Sequence, residues 1–195
     1  MPTLPADFYA RPVLEVAPDL LGCVVRHGET SGVIVETEAY HESEPACHAY
    51  IGLTPRTEVL FGRPGIAYVY RSYGIHALLN AVCEGEGIGA AVLIRALAPL
   101  DGIEQMRVRR GSIGGRPARD SELCSGPGKL TQALGVWLDQ NGSSLFRGPV
   151  HIYTRSGEWR EPDIAVGPRV GISHAVELPW RFAAAGDPNV SRPRL

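Results

Sequence analysis

Two glutamates, a tyrosine and a histidine stand in an arrangement that suits acid–base chemistry. Residues 33–40 form an apolar run that ends with Glu36, Glu38 and Tyr40, and His48 follows eight positions later. A run of this kind predicts a buried strand, on which Glu36 and Glu38 share one face because side chains alternate. One of the two carboxylates could be catalytic. The alternative interpretation is that both only pair with arginines.

Three tyrosines form a second cluster around a predicted turn. Tyr68, Tyr70 and Tyr73 fall within six residues, and Gly74 follows them. Tyr68 and Tyr70 are two positions apart on a predicted strand, so both face one side of the sheet, whereas Tyr73 lies at the turn. The three rings either fill the core and the hairpin, or the tyrosine at the turn is placed to enter between stacked bases.

The composition predicts a soluble globular domain. The chain has 195 residues, of which 44% are hydrophobic and 21% are charged, which is enough to form a core without disulfides or metal. No apolar stretch is long enough to cross a bilayer, and the N-terminus lacks the features of a secretion signal or transit peptide, so we expect a cytoplasmic protein. The net charge of −2 leaves nucleic-acid binding open, because a local basic face suffices.

Cysteine and histidine spacing gives no metal motif. The four cysteines are widely spaced, without a Cys-x-x-Cys pair, and therefore predict reduced, partly buried thiols. They are Cys23, Cys47, Cys83 and Cys124. His41, Cys47 and His48 match no zinc spacing, so His48 is expected to give a hydrogen bond or a stacking face instead.

Turn signals separate several short apolar segments. Strands are predicted near 23–26, 31–35, 66–69, 77–83, 90–96 and 150–154. The short turns between successive strands favour antiparallel pairing, and residues 41–65 are predicted as a long ordered loop. We expect one mixed α/β (α+β) domain over residues 1–195. It should have a curved antiparallel β-sheet core with short helices and long loops around it, and an extended segment at 1–10.

Helix signals are local and short. Residues 11–22 predict one or two helical pieces broken by Pro18, and Asp101 is predicted to be the N-cap of a helix in a capping box with Glu104. The arginines that end this helix either suit its dipole or face phosphates. They are Arg107, Arg109 and Arg110. Residues 113–121 are predicted to be a flexible surface loop.

Residues 125–129, Ser-Gly-Pro-Gly-Lys, precede a predicted short helix that ends at Gly135. The spacing is not that of an ATP-binding P-loop, and leucine follows Lys129 where Ser or Thr would be required. Free backbone N–H groups beside Lys129 suit a DNA phosphate. A purely structural helix cap is the equal alternative.

Taken together in chain order, these segments resemble the 3-methyladenine DNA glycosylases of the alkyladenine (alkylpurine) DNA glycosylase type. The resemblance covers the chain from about Asp19 to the C-terminus. The segments that carry it are 35–40, 48–49, 54–56, 68–74, Asn80, 93–97, 123–130, 169–172 and 180–182. It implies a single mixed α/β domain around an antiparallel sheet, which hydrolyses the N-glycosidic bond of damaged purines without a metal or cofactor.

The resemblance also implies a role for individual residues. Glu38 matches the carboxylate that activates water, and Arg95 the arginine close to that water. Tyr40, His48 and Tyr70 match the residues that enclose the flipped base. Of the remaining residues, Tyr73 would fill the vacated stack, Asn80 would crowd the exocyclic amino group of guanine, and Arg56, Ser125 and Lys129 would contact the DNA backbone.

The implied partner is double-stranded DNA that contains damaged purines, bound by a monomer without a membrane. Cleavage of the DNA backbone requires an amine, and only Lys129 and the N-terminus offer one, so we expect a monofunctional enzyme. Two other functions stay open: a damaged-DNA-binding protein without activity, and a hydrolase of free nucleosides that uses Glu36 and Glu38. The preferred lesion is also open, because the residues around 49–51 and after Arg56 depart from the family pattern.

Overall fold

A computed structural model describes residues 1–155, 159 and 162–195 as a mixed α/β domain. The predicted fold class is confirmed. The described helices are α1 (Ala6–Tyr9), α2 (Val13–Asp19), α3 (Ile103–Arg110), α4 (Asp120–Leu123) and α5 (Pro127–Leu134). The described strands are β1 (Val24–His27), β2 (Thr30–His41), β3 (Ala67–Ser72), β4 (His76–Val82), β5 (Ala90–Asp101), β6 (Ser112–Ile113), β7 (Arg116–Pro117), β8 (Val150–Tyr153), β9 (Ile164–Gly167) and β10 (Arg181–Ala184).

The main sheet is antiparallel and runs in the order β3-β4-β5-β2-β1-β8, with β10 joined to both β2 and β9. The predicted hairpin of β1 and β2 and the predicted meander of β3, β4 and β5 are confirmed. β2 is long enough to serve two neighbours along one edge, because Val24 of β1 pairs with Val33 and Arg181 of β10 pairs with Glu38. Its other edge pairs with β5.

The register between β2 and β5 is irregular beside the two glutamates. Ile34 pairs with Leu97, Glu36 with Ala96 and Thr37 with Ile94. This register skips Val35 on one strand and Arg95 on the other. Bulges of this kind bend a strand and redirect side chains.

The core lies between the sheet and the helices. α2 buries Val13, Val16 and Ala17, and it packs against β2. α5 packs against β4 and β5, and its Thr131 hydroxyl donates to the Ala77 carbonyl at 2.6 Å. The four cysteines are buried and unbridged, as predicted. Among the described residues, no helix is long and apolar enough to span a membrane.

The predicted N-cap of α3 is wrong. Asp101 is the last residue of β5, and its carboxylate accepts hydrogen bonds from Arg26 at 2.5 Å and from Ser31 Oγ at 2.7 Å. The N-cap is Gly102 at φ 70°. A Cβ there would lie 2.7 Å from the Glu29 carbonyl oxygen, so the close approach of the chain demands glycine.

The arginines at the end of α3 bind within the protein. Arg107 pairs with Glu104 and Asp120, Arg110 bonds Gln132, and Arg109 donates to the Ala133 carbonyl at 2.9 Å. Of the two interpretations of this cluster, the structure favours the one without phosphate. These contacts fix α3 to α4 and α5.

Three other local predictions differ from the structure. The segment 1–10 is not simply extended, because α1 forms within it and Leu4 and Tyr9 are buried. Pro18 does not break the preceding helix, since α2 contains it in its last turn. Part of the segment predicted as a flexible loop pairs as β6 and β7.

Candidate active site

A cavity of about 600 Å³ opens between the β3–β4 hairpin, the start of α5 and residues 170–174. The resemblance implies a role for ten residues, and seven of these line the cavity. They are Tyr40, His48, Arg56, Tyr70, Tyr73, Arg95 and Lys129. Of the other three, Glu38 bonds three lining residues from beneath, Asn80 lines a small adjoining chamber, and Ser125 lines a neighbouring cavity.

Glu38 is fully buried beneath the cavity floor. Its Oε2 accepts a hydrogen bond from the Tyr40 hydroxyl at 2.7 Å, and its Oε1 accepts from the Val170 backbone N–H at 2.8 Å. The Arg95 Nη1 lies 3.1 Å from Oε1. All three donors line the cavity, so Glu38 lies directly behind the residues that a bound molecule would contact.

Glu36 has a different environment, although both glutamates contact the same arginine. It shares the sheet face of Glu38, as predicted, whereas Thr37 between them donates to the Ala17 carbonyl of α2 at 2.8 Å. Glu36 accepts from Arg95 Nε at 3.1 Å and from Arg181 Nε at 2.6 Å. These two contacts are the simple arginine pairing considered from the sequence, and Glu36 also accepts from the Ser191 backbone N–H at 2.8 Å and hydroxyl at 3.0 Å.

Charge pairing sets the ionisation of this cluster. Burial alone would raise the pKa of Glu36, but Arg95, a backbone hydrogen bond from Ser191 and Arg181 together hold it below its usual value. For Arg95, burial would lower the pKa, but the charges of Glu38 and Glu36 raise it above its ordinary value. Arg95 therefore stays a cation although only 4% of it is exposed.

An aromatic wall stands beside the carboxylate. Tyr68 and Tyr70 stack with their centroids 5.3 Å apart, which confirms that they face one side, and His48 meets Tyr70 edge-on at 4.6 Å. Burial, with Tyr68 and Glu38 nearby, raises the pKa of Tyr70 to about 12. Burial and Glu38 raise the pKa of Tyr40 well above its ordinary value. Both phenols are therefore neutral at physiological pH.

His48 is held as a neutral ring. Its Nε2 lies 3.3 Å from Arg56 Nη2, a group that can only donate, so Nε2 is the acceptor. The proton then resides on Nδ1, which faces the Tyr68 hydroxyl at 3.1 Å. Burial and the charge of Arg56 lower the pKa of His48, which keeps a positive charge off this wall.

Asn80 is buried behind the aromatic wall. Its Nδ2 donates to the Tyr68 carbonyl at 3.0 Å, across the β3–β4 ladder. The adjoining chamber that it lines has a volume of only about 30 Å³. A chamber of this size can accept a small chemical group at the back of the cavity but not a second aromatic ring.

Tyr73 stands at the tip of the β3–β4 turn. It is 86% exposed and adopts φ 49°, followed by Gly74 at φ 71°. Positive φ at two successive positions is the geometry of a tight hairpin turn. The turn therefore projects an aromatic ring into solvent at the mouth of the cavity.

The start of α5 forms the opposite rim. Lys129 Nζ lies 3.4 Å from Ser125 Oγ, and Lys129 lines both the main cavity and its neighbour. Gly128 packs so closely on His76 that a Cβ would lie 2.7 Å from the ring. Burial and the charge of Arg110 lower the pKa of Lys129. The cap thus has a packing role and also carries an exposed cation.

Comparison with known proteins shows the family of this chain. The sequence profile of the methylpurine-DNA glycosylase family matches residues 7–188. The chain belongs to the methylpurine-DNA glycosylase family. It is therefore a DNA glycosylase by family, a class of hydrolase that acts on N-glycosyl bonds.

Relatives are similar along nearly their whole length. A protein of Rhodopseudomonas palustris strain BisB18 is 53% identical over 98% of this chain and 92% of its own. One of Bradyrhizobium diazoefficiens is 51% identical over 95% and 89%, and one of Methanoculleus marisnigri is 48% identical over 97% and 99%. Each is provisionally named a 3-methyladenine DNA glycosylase.

The candidate site also contains a residue whose contacts the sequence did not reveal. Arg169 is buried, bonds both oxygens of Glu44 at 2.6 and 2.9 Å, and lies 4.6 Å from the centroid of Tyr40. It fixes the ring whose hydroxyl faces Glu38. The only sequence signal was its place in the segment 169–172, since Glu44 is 125 positions away.

Replacing Arg56 with alanine should raise the pKa of His48, because one of the two causes that lower it is removed. The pKa should not return fully to its ordinary value, because burial remains. An NMR titration of the imidazole in this variant of the glycosylase measures both effects. Arg63→Ala, which removes an exposed arginine, is the matched control, and an unchanged His48 titration in Arg56→Ala would show that the Arg56–His48 contact is absent in solution.

Proposed function

We propose that this protein is a monofunctional DNA glycosylase that hydrolyses the N-glycosidic bond of alkylated purines flipped out of duplex DNA. It would act as a monomer in base excision repair, without metal or cofactor. The observation that carries the proposal is Glu38, a buried carboxylate under the floor of an aromatic cavity. Arg95 beside it would hold the carboxylate in place, and Tyr73 at the cavity mouth would fill the stack that the flipped base leaves.

Base flipping explains the cavity and the exposed ring together. A purine within a duplex cannot reach a buried carboxylate, so the nucleotide must leave the stack and enter a pocket. Tyr73 stands exposed at a tight turn, and its ring can fill the gap left behind. Lys129, Ser125 and Arg56 lie on or near the rim, where they would bind the DNA backbone.

The wall of the cavity suits a cationic base. Alkylation at N3 or N7 gives the purine a positive charge, which the faces of Tyr40 and Tyr70 attract. His48 is held neutral by burial and Arg56, so it does not repel that charge. Asn80 at the back of the cavity would crowd an exocyclic amino group. A cationic base leaves without a strong general acid.

Hydrolysis then follows from Glu38 and Arg95. The bond between C1′ and the purine nitrogen breaks, its electron pair goes to the base, and positive charge develops at C1′. Glu38 stabilises this charge and takes a proton from the water whose oxygen bonds C1′. Arg95 holds the carboxylate in place and orients that water. The products are the free base and an abasic sugar in an intact strand.

Replacing Glu38 with glutamine should reduce base release by about 100-fold or more, because both charge stabilisation and the general base are lost. Binding of duplex with the lesion should stay nearly unchanged. Single-turnover release of 3-methyladenine from methylated duplex, followed by chromatography, measures the rate. Glu15→Gln, on the exposed side of α2, should behave as the wild type.

Three outcomes would contradict this assignment. Loss of both binding and release in Glu38→Gln would give Glu38 a structural role. A wild-type protein that binds damaged duplex and releases no base, even in excess, would be a binding protein. Release that is equal from a free nucleoside and insensitive to salt would favour a nucleoside hydrolase instead, since duplex binding weakens steeply with salt.

Replacing Tyr73 with alanine should weaken flipping, because no ring remains to fill the stack. We expect a loss of about 10-fold or more in the flipping equilibrium, on the basis of a stacking contribution of roughly 1–3 kcal/mol. Fluorescence of a base analogue next to the lesion reports the flipped state. Tyr73→Phe keeps the ring and should retain flipping, so an equal loss in both variants would exclude a wedge role for the ring.

Strand cleavage offers a separate test of the monofunctional reaction. A lyase would form a Schiff base through an amine, and Lys129 is the only lysine. Its lowered pKa leaves a larger fraction of this amine unprotonated than in an ordinary lysine, so Lys129 is the side chain on which to test for a Schiff base. Borohydride should trap no covalent complex with abasic DNA, and the strand should break only after alkali treatment. A trapped complex that disappears in Lys129→Ala would make the enzyme bifunctional.

A further inference from the structure

We propose that Glu36 and Ser191 are positioning residues that hold Arg95 against Glu38, so that the C-terminal segment completes the active site. This inference rests on the proposed function, because it assumes that Glu38 carries the reaction. Neither residue lines the main cavity in the described structure. Both would act through Arg95 alone.

The guanidinium of Arg95 meets a different partner on each of its nitrogens. Nη1 lies 3.1 Å from Glu38 Oε1, Nε donates to Glu36 Oε1 at 3.1 Å, and Nη2 donates to Ser191 Oγ at 3.0 Å. A planar guanidinium group is oriented only when hydrogen bonds hold more than one of its edges. Two of the three partners of Arg95 lie outside the reaction, and they set the plane in which Nη1 reaches Glu38.

Ser191 is suited to this task because its hydrogen bonds leave little freedom. Its backbone N–H donates to Glu36 Oε2 at 2.8 Å, and its hydroxyl donates to Glu36 Oε1 at 3.0 Å. A serine hydroxyl has one hydrogen, so its lone pairs are left to accept from Arg95. The side chain is 3% exposed and cannot exchange these partners for bulk water.

Arg181 fastens the same segment to the sheet. Its Nε donates to Glu36 Oε1 at 2.6 Å, and its Nη2 donates to the Pro193 carbonyl at 2.6 Å. Arg181 lies on β10, directly opposite Glu38 of β2. The segment at 191–193 is therefore tied to the strand that carries the catalytic carboxylate.

A neighbouring cavity explains why Arg95 needs such support. This second cavity has a volume of about 530 Å³, and both Arg95 and Ser191 line it, together with the Lys129 side of α5. An arginine has several flexible torsions, and the second cavity offers open space beside its side chain. Without the Ser191 hydroxyl, the guanidinium can turn into that space and leave Glu38.

The test is single-turnover base release by wild type, Glu38→Gln, Ser191→Ala and Ser191→Thr on the same methylated duplex. Ser191→Ala should slow release about tenfold or more, the size expected for a lost hydrogen bond to a charged group. DNA affinity should change little, and the variant should remain folded at the assay temperature, although it loses the buried hydrogen bonds of the hydroxyl to Glu36 and Arg95. Ser191→Thr keeps the oxygen and should restore most of the rate. Asn189→Ala, whose side chain bonds only Asp187 among the described residues, is the control for general disturbance of the segment.

The rate at saturating enzyme separates positioning from a merely structural role. If Arg95 turns away in Ser191→Ala, the single-turnover rate at saturating enzyme should fall, while the enzyme concentration that gives half of this rate stays near the wild-type value. Ser191→Thr should return the saturated rate. A loss of active protein through partial unfolding would instead raise the enzyme concentration that is needed and leave the saturated rate unchanged.

The possible outcomes distinguish the positioning role of Ser191 from the proposed glycosylase function. Wild-type release, an inactive Glu38→Gln and an unaffected Ser191→Ala would overturn the positioning role and leave the proposed function intact. Absence of release from the wild type would overturn the proposed function and this inference with it. Should Ser191→Ala fail to fold, Ser191→Cys takes its place, because its thiol is only a weak acceptor; full activity there would likewise overturn the inference.

Discussion

The structure depends on four charges that are buried together, two carboxylates and two guanidinium groups. Glu36, Glu38, Arg95 and Arg181 all have exposures of 4% or less. Removing such ions from water costs several kcal/mol each, and mutual attraction offsets this only when geometry and hydrogen bonding are good. Here each charge has at least one partner of opposite sign. Loss of one member would leave an uncompensated buried charge, so the cluster holds its parts in one arrangement.

The sheet is shaped around this cluster. β2 pairs with three strands, and the irregular register with β5 coincides with Glu36 and Arg95. A regular ladder would place successive side chains strictly on alternate faces. The bulges release Arg95 from that rule, and its side chain meets Glu36 and Glu38 on one face. The pairing of β2 with β5 is therefore irregular at the position where the charges meet.

The cavity above the cluster is different in character, since its wall is aromatic and neutral. Burial keeps Tyr40 and Tyr70 as phenols, and Arg56 with burial keeps His48 neutral. The floor carries the charged pair Glu38 and Arg95, and the cations Arg56 and Lys129 line other parts of the cavity. A neutral aromatic wall above Glu38 suits the substrate proposed above, which has a cationic base and a sugar that becomes positive during the reaction. The aromatic faces would attract the base, and Glu38 would stabilise the sugar.

The sequence by itself determined the local parts: a strand with Glu36 and Glu38 on one face, Tyr68 and Tyr70 side by side, and Tyr73 at a turn. These follow from periodicity and turn chemistry, which depend on neighbours in the chain. Local signals also misled, as at Asp101, where a long-range contact with Arg26 outweighed the capping preference. The order of several motifs was enough to indicate the family.

Only the tertiary structure decided how the parts are held. Glu36 and Ser191 are 155 positions apart, and Arg169 and Glu44 are 125 apart. Such pairs form when distant segments are buried against each other, and the pairing of one arginine with one glutamate among many leaves no periodic trace. The bulge at Arg95 is likewise a property of two strands in register, so neither strand alone predicts it. The catalytic candidate was therefore readable from the sequence, whereas its support was not.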